Sequence, residues 1–478
     1  YCSLYRFPWF SRVVLFVVCA RVVFFTWSDI FHLRKGEYFD VADVVAAAAS
    51  EDLLLPSKSC GSAADEATLH LWGLAAEWHW DGDSDEPSSD LCVLVRGSEI
   101  ESITSVEEAR LRNVEILEFP GCTLLPGLID CHVHLEFSGE YPLHDQPAMT
   151  LDELDNVVEQ RALSMLKAGI VAVRDLGNSA RYPSLRLRDS IEAGLKLGPR
   201  IVCAGQPVTV PNGHCHQWGG AARSSAEAAE VVRRQAEHRT DWIKVMVTGG
   251  VRTPGSDPQS SQFSEEGLRT IVETASAFGL PVAGHAHGAK GVALAVAAGC
   301  RTVEHCSWLG PGAQWGCIDD GVIDLMARQG THVAPTAHAN WRWRPMGDRN
   351  FQRMSNALKL LKKARIPLLA SSDAGAIPRL PHDALAGGIE VLAEMADLRN
   401  VEALKTATSA AATALRLDKV CGRLKPALSA DLLVVYGDAC RDLSALRRVQ
   451  LVVARGKVVQ REDTLPPPPA NARDRGAR

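Results

Sequence analysis

Short apolar runs alternate with amphipathic segments along residues 120–415, and this pattern predicts repeated strand–helix units. The apolar runs are short and bounded by turn residues, whereas apolar positions between them recur at helical spacing. Strands that alternate with helices pair in parallel, and eight such units predict a (β/α)8 barrel with its active site at the carboxyl ends of the strands. The eight predicted strands are 124–134, 170–176, 200–207, 241–248, 281–287, 302–306, 332–336 and 367–374.

Two of the intervening helices carry start signals. Thr150 and Glu153 have capping-box spacing at the start of a helix predicted over 151–168, in which Leu154 lies on the apolar face. Ser264 is expected to cap a later helix whose first turn is acidic. These signals place helices after the first and the fourth predicted strands.

The residues on either side of this region contain short strand-like runs without helical segments between them. On the amino-terminal side the runs lie at 91–96 and 114–118, and on the carboxyl-terminal side at 431–436 and 449–453. Because the runs border the predicted barrel on both sides, we expect the two flanks to pair into one small β-domain.

The ends of the chain differ from the rest in composition. Residues 13–27 are apolar except for Arg21, and the stretch is shorter than the about 20 residues that span a bilayer. Because the chain starts with Tyr1, we interpret residues 1–67 as a leader or an over-extended amino terminus. A signal or membrane anchor and a packed element are the alternatives. Residues 463–478 begin with a proline run, and we expect a disordered tail.

Composition excludes several classes of protein. The chain has 478 residues with 57 acidic and 51 basic side chains, and the net charge of −6 argues against a nucleic-acid partner. Its 46% hydrophobic and 23% charged residues are typical of a folded globular protein. Thirteen cysteines without a CxxC pair argue against a disulfide framework or a zinc ribbon. We therefore expect buried, reduced thiols and a cytoplasmic location.

Chemically reactive side chains stand at the ends of the predicted strands. His132 and His134 are two residues apart in the first strand, so both imidazoles face the same side. Lys244 interrupts the otherwise apolar fourth strand. Imidazole and carboxylate ligands at a barrel mouth suit Zn²⁺ or a similar divalent ion. The other members of this set are His285, His287, His305 and Asp373.

Each of these residues taken singly has a structural explanation, and the metal-site prediction depends on their coincidence at five strand ends. For His287, a hydrogen-bonding role beside the ligands is favoured over ligation. Two histidines of the first strand and one each of the fifth and sixth already fill the ligand shells. Ligation by His287 is the alternative.

These motifs resemble those of the amidohydrolase superfamily. Within it they are similar to the imidazolonepropionase-like metal-dependent hydrolases, which include prolidase-type and ochratoxin-hydrolysing members. The resemblance extends over roughly residues 70–460 and does not include residues 1–67. The matching segments are LLPGLIDCHVHLEF (124–137), DWIKVMVTGGV (241–251), PVAGHAHG (281–288), TVEHCS (302–307), LLASSDAGAIP (368–378), ALKTATSAAATAL (403–415) and ADLLVVYGD (430–438).

The resemblance implies both a fold and a cofactor. The fold is a (β/α)8 barrel over 121–417 with a small β-sandwich formed by the flanks 68–120 and 418–462. The cofactor is a pair of divalent ions, for which we expect zinc. The implied ligands are His132, His134 and Asp373 for one ion, His285 and His305 for the other, and a Lys244 carboxylated by CO₂ that bridges both.

The implied reaction is hydrolysis of an amide or peptide-like bond by a hydroxide that bridges the two ions. Burial in an apolar strand would lower the pKa of Lys244 and supply the neutral amine that carboxylation requires. Asp373 would take the proton of the attacking water and deliver it to the departing amine. A dipeptide or an N-acyl amino acid is the expected substrate.

Loops that follow the strands are expected to bind the substrate. His214 follows the third strand, Arg252 follows the fourth, and His287 could face the same site. The segment 341–344 (WRWR) follows the seventh strand. It could clamp an apolar acyl group and a carboxylate, or it could form a solvated rim, and both interpretations stay open.

Two other functions fit parts of the pattern. A mononuclear deaminase or a cyclic-amide or lactone hydrolase would use the same fold, but such relatives generally lack the lysine at position 244. A barrel that has lost its metals is disfavoured because all six ligand positions are present. We expect a homo-oligomeric enzyme that acts on a small molecule. Membrane association is not expected, although residues 13–27 leave it open.

Overall fold

The computed structural model describes residues 13–18, 21–26, 70–142 and 145–462. Contacts between Cα atoms divide the chain into two units, Tyr1–Leu69 and His70–Arg478. In the first unit, strands β1 (Val13–Val18) and β2 (Arg21–Thr26) form an antiparallel hairpin within the apolar stretch 13–27. The predicted tail over 463–478 lies outside the described residues. Among the helices that the structure describes, none has the length and apolar character needed to cross a bilayer.

The second unit contains the sheets and helices that position the candidate site. Its strands are β3 (Leu71–His79), β4 (Leu91–Arg96), β5 (Glu99–Ser105), β6 (Glu115–Pro126), β7 (Leu128–Val133), β8 (Ile170–Asp175), β9 (Arg200–Cys203), β10 (Ile243–Met246), β11 (Val282–Gly288), β12 (Thr302–Leu309), β13 (His332–Ala334), β14 (Leu432–Tyr436), β15 (Val449–Ala454) and β16 (Lys457–Arg461). Its α-helices are α1 (Val106–Leu111), α2 (Leu151–Lys167), α3 (Pro183–Glu192), α4 (Ser225–Glu237), α5 (Glu265–Ala277), α6 (Ala289–Ala297), α7 (Asp320–Gln329), α8 (Asp348–Lys363), α9 (Leu385–Ala396), α10 (Asn400–Thr406) and α11 (Ser409–Leu415). Short 3₁₀ helices lie at His216–Trp218, Pro311–Ala313, Ala339–Trp343 and Leu443–Arg447.

One seven-stranded sheet combines strands from both ends of this unit, in the order β16-β15-β14-β6-β3-β4-β5. The junction between the two ends is the antiparallel pair β6 and β14, in which Leu125 lies opposite Leu433. Strands β3, β5 and β16 belong to the same sheet, although the apolar pattern did not predict them. In β5 the outward positions carry charged and hydroxyl residues, and β16 begins and ends with a charged residue. In β3 the apolar run is interrupted by Gly73 and Glu77. These residues weaken the apolar signal along the sequence.

The strands of the middle region pair in parallel, which confirms the predicted α/β class. They form two sheets, β7-β8-β9 and β10-β11-β12-β13, with helices between successive strands. Isolated parallel bridges also pair Val208 with Val245, Val333 with Leu368, and Val133 with Ala374. The eighth predicted strand, 367–374, is represented only by the last two of these bridges.

The first predicted strand, 124–134, is divided between two sheets. The backbone N–H of Gly127 donates to the carbonyl of Asp431 at 2.9 Å, whereas the next N–H, of Leu128, donates to the carbonyl of Gly169 at 2.8 Å. A Cβ atom at position 127 would lie 2.3 Å from Cγ1 of Val171, so only glycine fits where the chain changes sheets. The apolar run does not reveal this change because both halves are buried.

The predicted helix starts are confirmed. Thr150 and Glu153 form a reciprocal capping box at α2, and the Ser264 hydroxyl accepts from the backbone N–H of Gly267 at the start of α5. The apolar faces of these helices pack on the parallel strands and form the core. The ten cysteines in the described residues are all free, and eight of them are buried.

Candidate metal centre

Two groups of three buried or largely buried side chains could each hold a metal ion. In each group, one ligand atom from every residue lies within 4.8 Å of the others. The groups come from β7 and the residue after it, from β11 and β12, and from the segment that follows Leu368. The first group is His132, His134 and Asp373, and the second is His285, His287 and His305.

The first group is centred on the carboxylate of Asp373. Its Oδ1 atom lies 3.5 Å from Nε2 of His132 and 3.4 Å from Nε2 of His134. The backbone N–H of Asp373 donates to the carbonyl of His132 at 2.9 Å, and its φ of 55° lies in the left-handed region that non-glycine residues seldom adopt. Such a backbone conformation persists only where the surroundings hold it, as at functional sites.

The second group lies beside the first. The ring centroids of His285 and His305 are 4.4 Å apart, and those of His132 and His305 are 5.2 Å apart. His305 Nδ1 bonds the hydroxyl of Thr336 at 3.0 Å, and His285 Nε2 donates to the carbonyl of Gly249 at 3.1 Å. Each ring therefore has one nitrogen held by the protein and one left over, as a metal-binding histidine requires.

His287 is also held by a hydrogen bond. Its Nδ1 atom lies 2.9 Å from the hydroxyl of Ser307, and its ring stacks on that of His305 at 4.6 Å. The predicted hydrogen-bonding role and the alternative of ligation both fit this position, because Nε2 is left for an ion or for a substrate.

A buried ion pair orients His132. The Nδ1–H of His132 donates to Oε2 of Glu304 at 2.8 Å, and the guanidinium of Arg174 donates to Oε1 of the same carboxylate at 2.9 Å. Burial alone would raise the pKa of Glu304, but Arg174 and His132 lower it to about 2. An ionised carboxylate accepts from Nδ1, so Nε2 of His132 carries the lone pair. Nε2 is buried without a hydrogen-bond partner among the described residues.

The residues present fit divalent ions of the zinc type. Imidazole nitrogens and a carboxylate are suitable donors, and they bind when the imidazoles are neutral. Burial, the largest influence, lowers the pKa of His132 and His287 to about 4 and that of His285 and His305 well below the usual range. Asp373 is ionised, because His132, His134 and Lys244 outweigh burial and lower its pKa to about 2.

Lys244 lies on β10 and is almost completely buried. Burial lowers the pKa of this lysine to about 8, against the opposing charges of Glu304 and Asp373. At pH 7 roughly a tenth of the side chain is therefore an uncharged amine, far more than for an exposed lysine.

A cavity of about 350 Å³ opens above these groups. All nine predicted site residues line it, so the structure brings the whole predicted set together. The lining residues from that set are His132, His134, His214, Lys244, Arg252, His285, His287, His305 and Asp373.

The two loop residues of the predicted set are anchored by hydrogen bonds. Nδ1 of His214 lies 2.8 Å from the hydroxyl of Thr253, and its ring is 4.7 Å from that of His285. The guanidinium of Arg252 donates to the carbonyls of Gly139 and Tyr141 at 3.2 and 3.1 Å. These anchors fix both side chains at the cavity wall.

The segment after β13 contributes only part of the suggested clamp. Trp341 lines the cavity, whereas Trp343 is 84% exposed. Arg342 pairs with Glu390, and Arg344 pairs with Asp348 at 2.6 Å. Of the two interpretations that the sequence left open, the solvated rim fits these two arginines, because each is paired with an acidic neighbour and neither lines the cavity.

The family model for the amidohydrolase family matches residues 123–459. The chain belongs to the amidohydrolase family. The resemblance found in the motifs is thereby confirmed, and the chain is a hydrolase of the kind that acts on carbon–nitrogen bonds with divalent metals.

Several relatives of this amidohydrolase are known. The ochratoxinase of Aspergillus niger is 26% identical over 377 residues, which cover 69% of this chain and 73% of that protein. A Xaa-Pro dipeptidase structure with bound methionine has a TM-score of 0.71 at 25% identity and covers 81% of this chain and 99% of that one. A prolidase complexed with N-methylphosphonate-L-proline has a TM-score of 0.70 at 26% identity, with 82% and 100% covered.

Some residues of the amidohydrolase site were not predicted to have a role. Arg174 interrupts an apolar strand much as Lys244 does, and that interruption was a usable signal. Asp130 accepts from the backbone N–H groups of His132 and Ser372 at 3.2 and 3.1 Å and joins their two segments. Residues that line the cavity but were not predicted include Trp218, Trp315, His338 and Met346.

Replacing Glu304 by glutamine should weaken metal binding, and it should also lower the Tm because the buried charge of Arg174 loses its partner. The neutral amide would bind the Nδ1–H of His132 less strongly than the carboxylate does. Loss of the hydrogen-bond partner of a metal-binding histidine typically lowers metal affinity about 10–100-fold. Zinc dissociation constants from chelator competition measure this effect.

The matched control is Glu266→Gln at the exposed start of α5, which should leave the zinc constants unchanged. Equal zinc affinity for Glu304→Gln and the unmodified protein would contradict the orienting role of Glu304.

Proposed function

We propose that this amidohydrolase hydrolyses the amide bond of a small molecule that carries a carboxylate, such as a dipeptide or an N-acyl amino acid, at a centre of two divalent ions. The observation that carries this proposal is the contact between the two candidate ligand groups, in which the rings of His132 and His305 are 5.2 Å apart. Lys244, from the strand beside β11, lines the same cavity.

A closed (β/α)8 barrel with a β-sandwich formed by the flanks is part of this proposal. The isolated bridges support closure, because they link β10, β13 and β7 to segments that the two parallel sheets leave out. The shared sheet of β3–β6 and β14–β16 supports one flanking domain made from both ends. A barrel of this kind places its catalytic residues at the carboxyl ends of the strands.

The proposed ligands follow from the donor groups. His132, His134 and Asp373 would hold one ion, and His285 and His305 the other. Lys244 would complete both sets as a carbamate, since its lowered pKa supplies the neutral amine that reacts with CO₂. Zinc suits this donor set, and two bound ions would supply Lewis acidity and lower the pKa of water.

The remaining steps belong to side chains of this chain. Asp373 is ionised and buried, so it is suited to accept a proton from the attacking water and pass it to the leaving amine. His214 would contact the substrate carbonyl oxygen. His287, whose ring centroid lies 4.7 Å from that of His285, would also contact the substrate. Arg252 would bind the substrate carboxylate.

The position of His287 supports one alternative function. Because it groups with His285 and His305, three imidazoles could complete a site without Lys244. Such a site is the one expected for a mononuclear deaminase or a cyclic-amide or lactone hydrolase, so the metal content of a Lys244 variant distinguishes the two functions.

Replacing Lys244 by alanine should reduce bound zinc from two ions per chain to one or fewer and abolish amide hydrolysis. The variant lacks the group that completes both ligand sets. Metal analysis of the purified protein after incubation with zinc and bicarbonate measures the stoichiometry.

Lys290→Ala, at an exposed position of α6, is the matched control and should retain two ions. An active Lys244→Ala protein with unchanged metal content would instead support the site built on three imidazoles.

Replacing Arg252 by alanine should raise KM for N-acetylglycine at least tenfold and leave KM for N-acetylglycinamide nearly unchanged. A hydrogen bond to a charged group contributes about 1.5–3 kcal/mol, and only the first substrate carries a carboxylate. Steady-state kinetics on the two substrates separates this effect from a general loss of activity. Equal changes for both substrates would show that Arg252 does not bind the carboxylate.

A further inference from the structure

One buried histidine in the cavity wall has no hydrogen-bond partner for its side chain among the residues that the structure describes. His338 follows β13, lines the cavity and is only 7% exposed. Its Nδ1 atom is buried and unpaired. Most buried polar side chains in proteins are paired, because an unmade hydrogen bond costs free energy. An unpaired imidazole in the wall of a candidate active site therefore indicates a group that a bound molecule completes.

The surroundings of His338 hold it in place. A Cβ atom on Gly388 of α9 would lie 2.5 Å from the carbonyl oxygen of Ala337, so this helix packs directly on the backbone beside His338. The imidazole also packs on the ring of the buried Trp341 in a T-shaped arrangement, with 5.8 Å between centroids. His338 is therefore a preformed part of the cavity wall.

The segment after β13 runs beside the segment that carries Asp373. The backbone N–H of Thr336 donates to the hydroxyl of Ser371 at 3.0 Å, and these two residues are 35 positions apart. The parallel bridge from β13 to the same segment has the same offset, and so do His338 and Asp373. This register places the imidazole of His338 beside the carboxylate that is proposed to transfer the proton.

The ring of His338 is neutral at pH 7. Burial lowers its pKa to about 4, against the opposing charge of Asp373. A neutral imidazole has one nitrogen that donates a hydrogen bond and one that accepts. His338 can therefore accept from an uncharged N–H group of a substrate, which the guanidinium of Arg252 cannot do.

The proposed function places the departing half of the substrate over the segment of Asp373. The departing nitrogen must come within hydrogen-bond reach of Asp373, which delivers its proton. Arg252 would bind the carboxylate of this half, and its guanidinium donates to the carbonyl of Gly139. Gly139 abuts Ile377, since a Cβ atom on this glycine would lie 2.0 Å from the carbonyl oxygen of Ile377. The scissile nitrogen then lies next to both Asp373 and His338.

We propose that His338 accepts a hydrogen bond from the N–H group of the scissile amide, and that the enzyme therefore selects secondary amides over N-alkylated ones. This inference rests on the proposed function. When a hydroxide adds to the carbonyl carbon, the nitrogen becomes pyramidal, and its lone pair must face the acid that protonates it. A hydrogen bond from the N–H group to His338 holds this lone pair toward Asp373. A tertiary amide has no N–H group and leaves the buried imidazole unpaired.

The first test compares two substrates that differ by one methyl group on the scissile nitrogen. Initial rates of the zinc-loaded enzyme are measured on N-acetylglycine and N-acetylsarcosine, which carry the same carboxylate. A site that hydrogen-bonds an N–H group discriminates against an analogue without it, so kcat/KM should be roughly tenfold or more higher for N-acetylglycine. Equal values, or a higher value for N-acetylsarcosine, would contradict the inference and leave the proposed hydrolase intact.

The second test separates the hydrogen bond from a steric effect of the methyl group. Glutamine and methionine side chains have similar lengths, but only glutamine ends in an amide that can accept from an N–H group. His338→Gln should keep a preference for N-acetylglycine. His338→Met should lower kcat/KM roughly tenfold for N-acetylglycine and less than about threefold for N-acetylsarcosine.

His70→Gln, at an exposed position before β3, is the matched control and should leave both values unchanged. The same preference for N-acetylglycine in His338→Gln and His338→Met, at unchanged Tm, would overturn the inference. If His338→Met does not fold, His338→Leu replaces it with the same expectation.

The inference and the proposed function can fail separately. If no acylglycine or dipeptide is hydrolysed by the zinc-loaded enzyme, the proposed function is wrong. Isothermal titration with the same two compounds then tests His338, since N-acetylglycine should bind roughly tenfold more tightly than N-acetylsarcosine to the unmodified protein and about equally to His338→Met. Equal affinities for the unmodified protein, or no binding of either compound, would reject the inference.

Discussion

The buried ion pair between Arg174 and Glu304 underlies the geometry of the candidate metal centre. Its two side chains are fully buried, and Arg174 also donates to the carbonyl of Cys131 on β7 and to the hydroxyl of Thr302 on β12. Removing one partner of such a pair leaves an unpaired buried charge and costs about 3–5 kcal/mol. The pair therefore joins three strands, and through Glu304 it fixes the ring of His132.

Burial also lowers the pKa of the candidate metal ligands His132, His285 and His305. An imidazole that is removed from water loses its proton more readily, so the lone pairs of His132, His285 and His305 are available near neutral pH. Burial has the corresponding effect on Lys244 and leaves part of it as a free amine. Charge is retained where it is compensated, at Asp373 among two histidines and a lysine and at Glu304 beside Arg174.

The sequence predicted which residues meet at the site better than it predicted how they are held. His132 and His134 could be placed on one side of a strand because side chains two residues apart face the same way, and carboxyl ends of parallel strands meet. The bond from His132 to Glu304 joins residues 172 positions apart, and no local pattern encodes it. The change of sheet at Gly127 could not be predicted from the sequence either, because the apolar run continues on both sides of this residue.

The loops that line the cavity were the least predictable part. The repeated Trp-Arg pattern of 341–344 does not reveal that Trp341 turns inward while Trp343 turns outward, because a 3₁₀ helix and an αL residue set these directions. The arginines are directed by Glu390 and Asp348, of which the first lies on a separate helix. The directions of the loop side chains therefore required the structure, whereas the residues of the candidate metal centre could be proposed from the strand ends.

The central claim is that two divalent ions and a carboxylated Lys244 occupy the cavity. Anomalous diffraction from crystals of the zinc-loaded protein, recorded on both sides of the zinc edge, tests it most directly. The account predicts two peaks, one beside His132, His134 and Asp373 and the other beside His285 and His305, with electron density for a carboxylate on Lys244 between them. A single peak coordinated by His285, His287 and His305 with an unmodified Lys244, or no peak at all, would contradict it.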